Sequence, residues 1–420
     1  MSEQSTERRT MRRNIRELPR PAWFLVVGNF LTWFGSFAII FLILYLTRRG
    51  YSFAQAGAAV AVYGLGEMLA GPMAGHLADR FGRRNTMAAA MFASAVTTFS
   101  LYFVSGYALI LAVAFLAGVA TESWRPASRA LMSDLVPEGQ RITAFALVRF
   151  SGNLAVAAGG ATAGFLASRS FFWVFLLDAV TSAAFALITL IALPEGRRTR
   201  PEEEAEQGGY RSILGDRGFL VFLLASALIS FVYFQGQAAA LPLHVVELSG
   251  LTEADFGLLL ALNGLLVVLL ELPISSITMR KPAKRMIAGG FLLVGLGFGL
   301  TSVAHTMPIL ALTVAIWSFG EMVAAPVGYA YVADIAPQHL RGRYQGLYGL
   351  FWGTGSVTGP ALGTLLLAYN PTWFWLLCGV LGLVAAVMVL GTGRRRTAEE
   401  PIRIPEAQPK PQPKPTTVQT

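Results

Sequence analysis

Gly75-His76-Leu77-Ala78-Asp79-Arg80-Phe81-Gly82-Arg83-Arg84 closes an apolar run that begins near residue 54. Each polar member has a physical use. Asp79 ends a helix where it can accept from an arginine or from a neighbouring helix N-terminus. Gly82 permits a tight turn, and Gly75 permits close approach of a second helix. The cluster of Arg80, Arg83 and Arg84 can pair with Asp79 and with an acid further along, such as Asp134. Charge this dense belongs at the edge of an apolar layer, so the stretch reads as the polar end of a membrane helix.

Working outward, eleven further apolar segments of similar length appear. The twelve cover 22–46, 54–77, 86–104, 108–133, 142–167, 171–193, 218–245, 254–278, 285–303, 308–333, 342–368 and 372–391. About 20 apolar residues are what a helix needs to cross a hydrocarbon core about 30 Å thick. Irregular backbone and open sheet edges cannot satisfy their polar groups in lipid, so the chain is expected to be an all-α membrane protein. Composition agrees: 54% of the 420 residues are hydrophobic and 14% charged, against about 25% charged in a soluble domain. An ordinary soluble enzyme is excluded. The first segment is too long for a signal-peptide core and lacks a small-residue cleavage pattern, so it reads as an uncleaved helix.

The net charge of +9 is mostly a topology signal rather than a nucleic-acid footprint. Arginine and lysine gather in the N-terminal tail, at Arg80, Arg83 and Arg84, in the central loop from Arg197 to Arg217, at Arg280 to Arg285, and in the C-terminal tail. The alternate loops hold only Arg48, Arg49 and Arg169. The positive-inside rule then places both termini in the cytoplasm. The expected layout is a tail over 1–21, a six-helix bundle over 22–193, a polar linker over 194–216, a second bundle over 217–393 and a Pro/Lys/Gln tail over 394–420 that reads as disordered. The single cysteine, Cys378, forms no intrachain disulfide.

A displacement of 200 residues lays Gly57, Ala61 and Gly64 on Gly257, Ala261 and Gly264. It also lays Pro126, Asp134, Pro137, Arg141 and Gly159 on Pro326, Asp334, Pro337, Arg341 and Gly359. Both halves therefore carry P-x7-D-x2-P-x3-R at the same helix ends. Duplicated halves are how many secondary transporters build a central site that faces either side in turn.

The 75–84 stretch resembles the G-x-L-A-D-R-x-G-R-R loop signature of the major facilitator superfamily, and with the duplicated helices the resemblance spans 22–391. It implies a monomeric transporter in which Gly75, Asp79, Arg80, Gly82, Arg83 and Arg84, with Asp134, Arg141, Asp334 and Arg341, latch the cytoplasmic side in the outward-facing state. In the second half the signature has decayed to Met279 and Arg280. Among superfamily members the chain is most similar to bacterial drug/proton antiporters, which implies a bacterial plasma membrane. It departs from them in two places. The fifth segment reads Gly159-Gly160-Ala161-Thr162-Ala163-Gly164 without the expected proline, and Ala114 stands where many antiporters carry a buried arginine. The eleventh segment instead has Gly355-x3-Gly359-Pro360-x2-Gly363.

Ionisable groups inside a bilayer are costly, so those the topology does not require are candidates for function. Glu67, Glu122 and Glu321 fall near the middles of their helices; Asp178 and Glu271 fall nearer an end. Glu122, Arg125 and Arg129 share one helix face, so a salt bridge is expected, and Arg149 on the fifth helix is a second possible partner. These spacings give a proton-relay set of Glu67, Glu122, Arg125, Arg149 and Glu321. Glu271 is expected to meet Arg280 or Arg285. His244 and His305, near helix ends and without metal-ligand neighbours, are expected to be surface or capping residues.

The resemblance implies that helices one, four, seven and ten line the cavity. They carry Asn29, Trp33, Phe37, Tyr233, Gln237 and Trp317, with Asn263 and Trp352 near enough to contribute. Aromatic walls with a few amides suit amphipathic compounds better than sugars. No metal cluster, nucleotide loop or hydrolase motif is present, so no cofactor or enzymatic activity is expected. The expected function is proton-coupled export of amphipathic small molecules. The alternative is a superfamily transporter of another class, such as a metabolite or sugar exporter or an uptake symporter.

Overall fold

The computed structural model describes residues 15–195, 213 and 215–392; the side chains of Pro72, Asp79, Glu138, Ile142 and His339 lie outside that description, as do residues 1–14 of the expected N-terminal tail, most of the expected linker and the expected C-terminal tail. The described chain is helical and contains no strand. Its long helices are α1 (Arg20–Arg48), α2 (Phe53–Phe81), α3 (Arg83–Phe103), α4 (Tyr107–Leu135), α5 (Arg141–Arg169), α6 (Phe171–Ala192), α7 (Arg217–Ala238), α8 (Glu253–Thr278), α9 (Ala283–Leu300), α10 (Met307–Ile335), α11 (Arg341–Tyr369) and α12 (Pro371–Gly391). These are the twelve expected segments. Eleven of them are long and apolar enough to cross a membrane. The exception is α11, whose first turns hold Arg341, Arg343 and Gln345 and whose remainder is rich in glycine and hydroxyl residues.

The 200-residue repeat is built into the helix ends. Ser52 and Gln55 form a capping box at α2, and Thr252 and Asp255 form another at α8; reciprocal bonds of this kind satisfy orphan N–H groups of the first turn. Ser170 caps α6 and Asn370 caps α12. Pro126 and Pro326 sit inside α4 and α10, and one-turn 3-10 segments, Glu138–Gln140 and Gln338–Leu340, lead into α5 and α11.

The halves meet along two seams, α2 against α11 and α5 against α8. Each pairs the second helix of one half with the fifth of the other. Glycine makes the approach possible. A Cβ on Gly257 would lie 2.5 Å from the Gly160 carbonyl oxygen, and one on Gly264 would lie 2.7 Å from the Ala157 nitrogen. Across the other seam Gly57 abuts Pro360 and Thr364, and Gly64 abuts Ser356. In lipid such small-residue contacts hold helices together by van der Waals packing.

All of these contacts lie toward the end that carries the α1–α2 loop. Toward the end carrying the 75–84 motif the α2–α11 seam parts: a Cβ at Gly71, Gly75, Gly342, Gly346 or Gly349 would meet nothing within 4 Å. Close packing, expected at Gly75, is therefore absent in this state, because α2 and α11 have diverged by that level. At the packed end Arg48 reaches across to Glu253 at 3.0 Å and Glu247 at 3.8 Å on the second half.

Candidate functional site

At the motif end, α2 passes into α3 through Gly82 alone, whose φ of 90° lies in the region that favours glycine. Arg83 donates to the Asp134 carboxylate and to the Ala130 carbonyl at 3.0 Å, tying α3 to the end of α4. Arg84 lies 3.6 Å from Glu195, and Arg80 lies over the Phe81 ring. Asp134, Ala130 and Phe81 belong to the first half, and Glu195 opens the linker that follows it. In the second half Arg341 donates to the Ala333 carbonyl at 3.1 Å and Asp334 is exposed, as is Arg141 in the first half. The side chain of Asp79, central to the expected latch, lies outside the described residues.

Deeper in the first half, Arg125 and Glu122 pair at 2.9 Å one turn apart on α4, and the Arg125 guanidinium stacks 4.6 Å above the Trp33 ring. Glu67 on α2 lies within electrostatic reach of both. It is brought there by a tight α2–α4 contact, in which a Cβ on Gly118 would lie 3.2 Å from the Glu67 nitrogen. An arginine held by a carboxylate and an aromatic face keeps its charge in a layer where an unpaired ion is costly.

The corresponding region of the second half is organised around Glu321 on α10. It accepts from the Tyr233 hydroxyl at 3.0 Å and from the Asn263 amide at 3.4 Å; Asn263 also donates to Ser318 at 2.8 Å, and Gln237 donates to the Tyr233 oxygen at 3.0 Å. Helices α7, α8 and α10 are thus joined by one polar network with neutral groups around the carboxylate. Beside it lies a small apolar cleft lined by Tyr233, Phe291, Tyr348 and Trp352, with Glu321 also in its wall. The Trp352 ring lies 5.8 Å from that of Tyr233.

Between these clusters stands a contact that joins the halves. Arg149 on α5 donates to both carboxylate oxygens of Glu271 on α8, through Nη2 and through Nε at 3.2 Å, and the Asn153 amide adds a third donor at 3.3 Å. Two expectations are corrected. Arg149 does not join Glu122, and Glu271 does not turn to Arg280 or Arg285. A partner 122 residues away leaves no local spacing to read.

Of the expected cavity residues, Trp33, Tyr233, Gln237, Asn263 and Trp352 are half-buried around these clusters. Three others are packed away. Asn29 engages its amide with the Val148 carbonyl at 2.9 Å and with Ser151 at 3.0 Å, tying α1 to α5. Phe37 is buried at the bend of α1 against Gly159, and Trp317 is buried and stacked on Phe298 at 5.4 Å. Histidine brings a further correction. His244 is buried, with Nε2 2.8 Å from the Ala304 carbonyl and Nδ1 accepting from Trp375 Nε1 at 3.1 Å. The Trp375 N–H is only a donor, so Nδ1 carries no hydrogen and the ring is the neutral Nε2–H tautomer. Asp178, buried on α6, bonds Ser182 at 3.4 Å and the backbone N–H of Ala38 where α1 restarts after its bend.

A family profile of the Major Facilitator Superfamily matches residues 25–247 and 223–418. The chain is 27% identical over 357 residues to the uncharacterized MFS-type transporter YqjV of Bacillus subtilis, covering 81% of this chain and 85% of that one. It is 27% identical over 386 residues to the multidrug resistance protein MdtH of Aeromonas hydrophila, covering 89% and 95%. It is also similar, at 24% over 384 residues covering 83% and 90%, to a Na(+), Li(+), K(+)/H(+) antiporter of Planococcus maritimus. Among solved structures, the nucleoside transporter NupG superposes with a TM-score of 0.76 at 16% identity, covering 89% of this chain and 100% of that one, a likeness that shows the fold. The chain is a multi-span transporter of the plasma membrane and belongs to the major facilitator superfamily.

Proposed function

We propose that this transporter exports amphipathic small molecules in exchange for protons, and that its structure is the inward-facing state of an alternating-access cycle. The positive-inside rule assigns the arginine-rich motif end to the cytoplasm. The packed glycine seams and the Arg48 contacts then close the outer side, while α2 and α11 part toward the inner one. In the outward-facing state the motif residues close the inner side, with Asp79 and the Arg83 to Asp134 pair as the latch.

The observation that carries the reading is Glu321: an embedded carboxylate held by the neutral groups Tyr233 and Asn263 at the edge of an aromatic cleft. A negative charge so placed needs either a proton or a bound cation to be tolerated in the membrane. One site can then hold a proton on one face of the cycle and a cationic, aromatic-stacking substrate on the other. The drug-resistance relative and the antiporter relative agree in kind. The test is ethidium movement in inverted vesicles: a proton gradient should drive uptake, which an uncoupler abolishes. Uptake indifferent to the uncoupler removes the coupling, and no uptake of any amphipathic dye removes the substrate class.

A further inference from the structure

Given the amphipathic cargo proposed above, on which this step rests, we infer that the cleft beside Glu321 is a selectivity subsite: it takes an aryl end of the cargo and binds a hydrogen-bond acceptor on that end through the Tyr348 hydroxyl. The walls of the cleft come from α7, α9, α10 and α11, so it is built within the second half rather than between the halves. Tyr348 is 2% exposed, and among the described residues its hydroxyl has no hydrogen-bond partner. Buried hydroxyls are nearly always paired, and an unpaired one is costly. The ring is held in place: Phe222 stacks on it at 5.7 Å and Tyr329 meets it edge-on at 5.1 Å. Its hydroxyl lies against Gly328, where a Cβ would come within 2.8 Å of the oxygen. Gly328 and Tyr348 both line the cleft, so the hydroxyl is presented at its surface.

The 200-residue repeat accounts for the opening. Ile229, Ala324, Gly328 and Tyr348 fall on Asn29, Trp124, Ser128 and Val148. In the first half Trp124 is buried edge-on against Phe185 at 5.4 Å, and Asn29 ties α1 to the Val148 carbonyl and Ser151. That level is thus filled by an indole and closed by amide hydrogen bonds. The second half has alanine for the indole, isoleucine for the amide, and a glycine that makes room for a tyrosine hydroxyl. Glu321 shares the wall, so a cation attached to the aryl group can stay beside the carboxylate while the ring lies against Tyr348 and Trp352. A tyrosine hydroxyl donates as well as accepts, and a carbonyl, ether or ring nitrogen on the aryl group uses the donor. A site built to hydrogen-bond its substrate discriminates against analogues that lack the matching group. Tyr348 therefore selects among aryl cations of equal size.

The test is equilibrium binding to the full chain in nanodiscs, at fixed pH and without a gradient, of two matched probes. One is para-benzoylbenzyl trimethylammonium, an aryl ketone; the other is para-benzylbenzyl trimethylammonium, which has a methylene in place of the carbonyl. The parent should bind the ketone more tightly by about 2- to 12-fold, the range expected of one net hydrogen bond. Tyr348→Phe should lower the ketone to the affinity of its analogue and leave the analogue unchanged. Ala324→Trp, which restores the indole of the first half, should weaken both. Equal affinities in the parent, a ketone preference that survives Tyr348→Phe, or ketone binding unaltered by Ala324→Trp overturns the inference. If Ala324→Trp is not monodisperse, Ala325→Leu narrows the same cleft from a half-buried position, and unaltered binding there counts against the subsite equally. A parent that binds neither probe also overturns it, while ethidium movement in vesicles still decides the cargo. A protein that binds as expected but moves no dye contradicts the proposed export and not the subsite.

Discussion

Arg149 and Glu271 are joined across the boundary between the halves, while Gly349 and Gly71, their counterparts 200 residues away, face open space. The duplicated fold is therefore not duplicated in its chemistry. The first half keeps an arginine of α4 paired with Glu122 and stacked on Trp33; the second keeps Glu321 among hydroxyl and amide donors.

If the proposed latch acts in the outward-facing state rather than in the fold, Asp79→Asn should impair transport severely while leaving protein abundance near normal. Immunoblotting beside dye efflux checks this, and undiminished efflux rejects the latch. Asp134→Asn, which takes the carboxylate from Arg83, should weaken transport in the same direction.

Gly82 and Gly75 separate conformational need from switching need. At Gly82 the positive φ makes any side chain strained, at a cost on the order of 1–3 kcal/mol, so Gly82→Ala should lower the unfolding temperature of the purified protein. Gly75→Ala meets open space in this state and should leave that temperature unchanged or slightly raised. If α2 closes on a neighbour there in the opposite state, the same variant should slow transport.

The outer seam should respond to bulk. Gly257→Val places methyl groups where the Gly160 carbonyl and Gly164 already sit, which favours states in which α5 and α8 part at their outer ends. Labelling of an introduced cysteine on that stretch of α5 by a membrane-impermeant maleimide should be faster in the variant than in the parent; equal rates contradict the assignment of the packed end.

The fold was almost wholly legible in the sequence, since lipid demands about 20 apolar residues per crossing and rewards nothing irregular. All twelve helices fall on the expected segments, and the repeat that Pro126 and Pro326 announce extends to caps at Ser52 and Thr252. The site was only partly legible. Spacing on one helix found the pair of Glu122 and Arg125, whereas the partners of Arg149, Asn29 and His244 lie 60 to 131 residues away. A polar residue in a membrane helix has two readings, cavity wall or helix tie. Only packing chooses between them, and for Asn29 it chose the tie.

Aromatic contacts around Glu321 should set apparent affinity. Trp352→Ala removes a ring face next to Tyr233, and such pairs are worth about 0.5–1.5 kcal/mol beyond burial, so KM for a cationic dye should rise roughly 2- to 10-fold with the maximal rate less affected. Tyr233→Phe, which removes a donor to Glu321, should instead change the pH profile. Equal dye kinetics in Trp352→Ala place the substrate elsewhere.

Glu122→Gln tests the first-half charge pair. Protonating Glu122 weakens its hold on Arg125, so the glutamine variant should behave at high pH as the parent does at low pH and lose the transition between. If the variant keeps the parent's pH profile, the pair is a static element of α4.

The central claim is that substrate leaves as protons enter, and it is read most directly as exchange. Proteoliposomes loaded with a pH-sensitive dye should show proton movement opposite in direction to ethidium added on one side, absent from protein-free vesicles and absent in Glu321→Gln. Ethidium movement with no change in internal pH, or protons moving in the same direction as ethidium, would contradict the account.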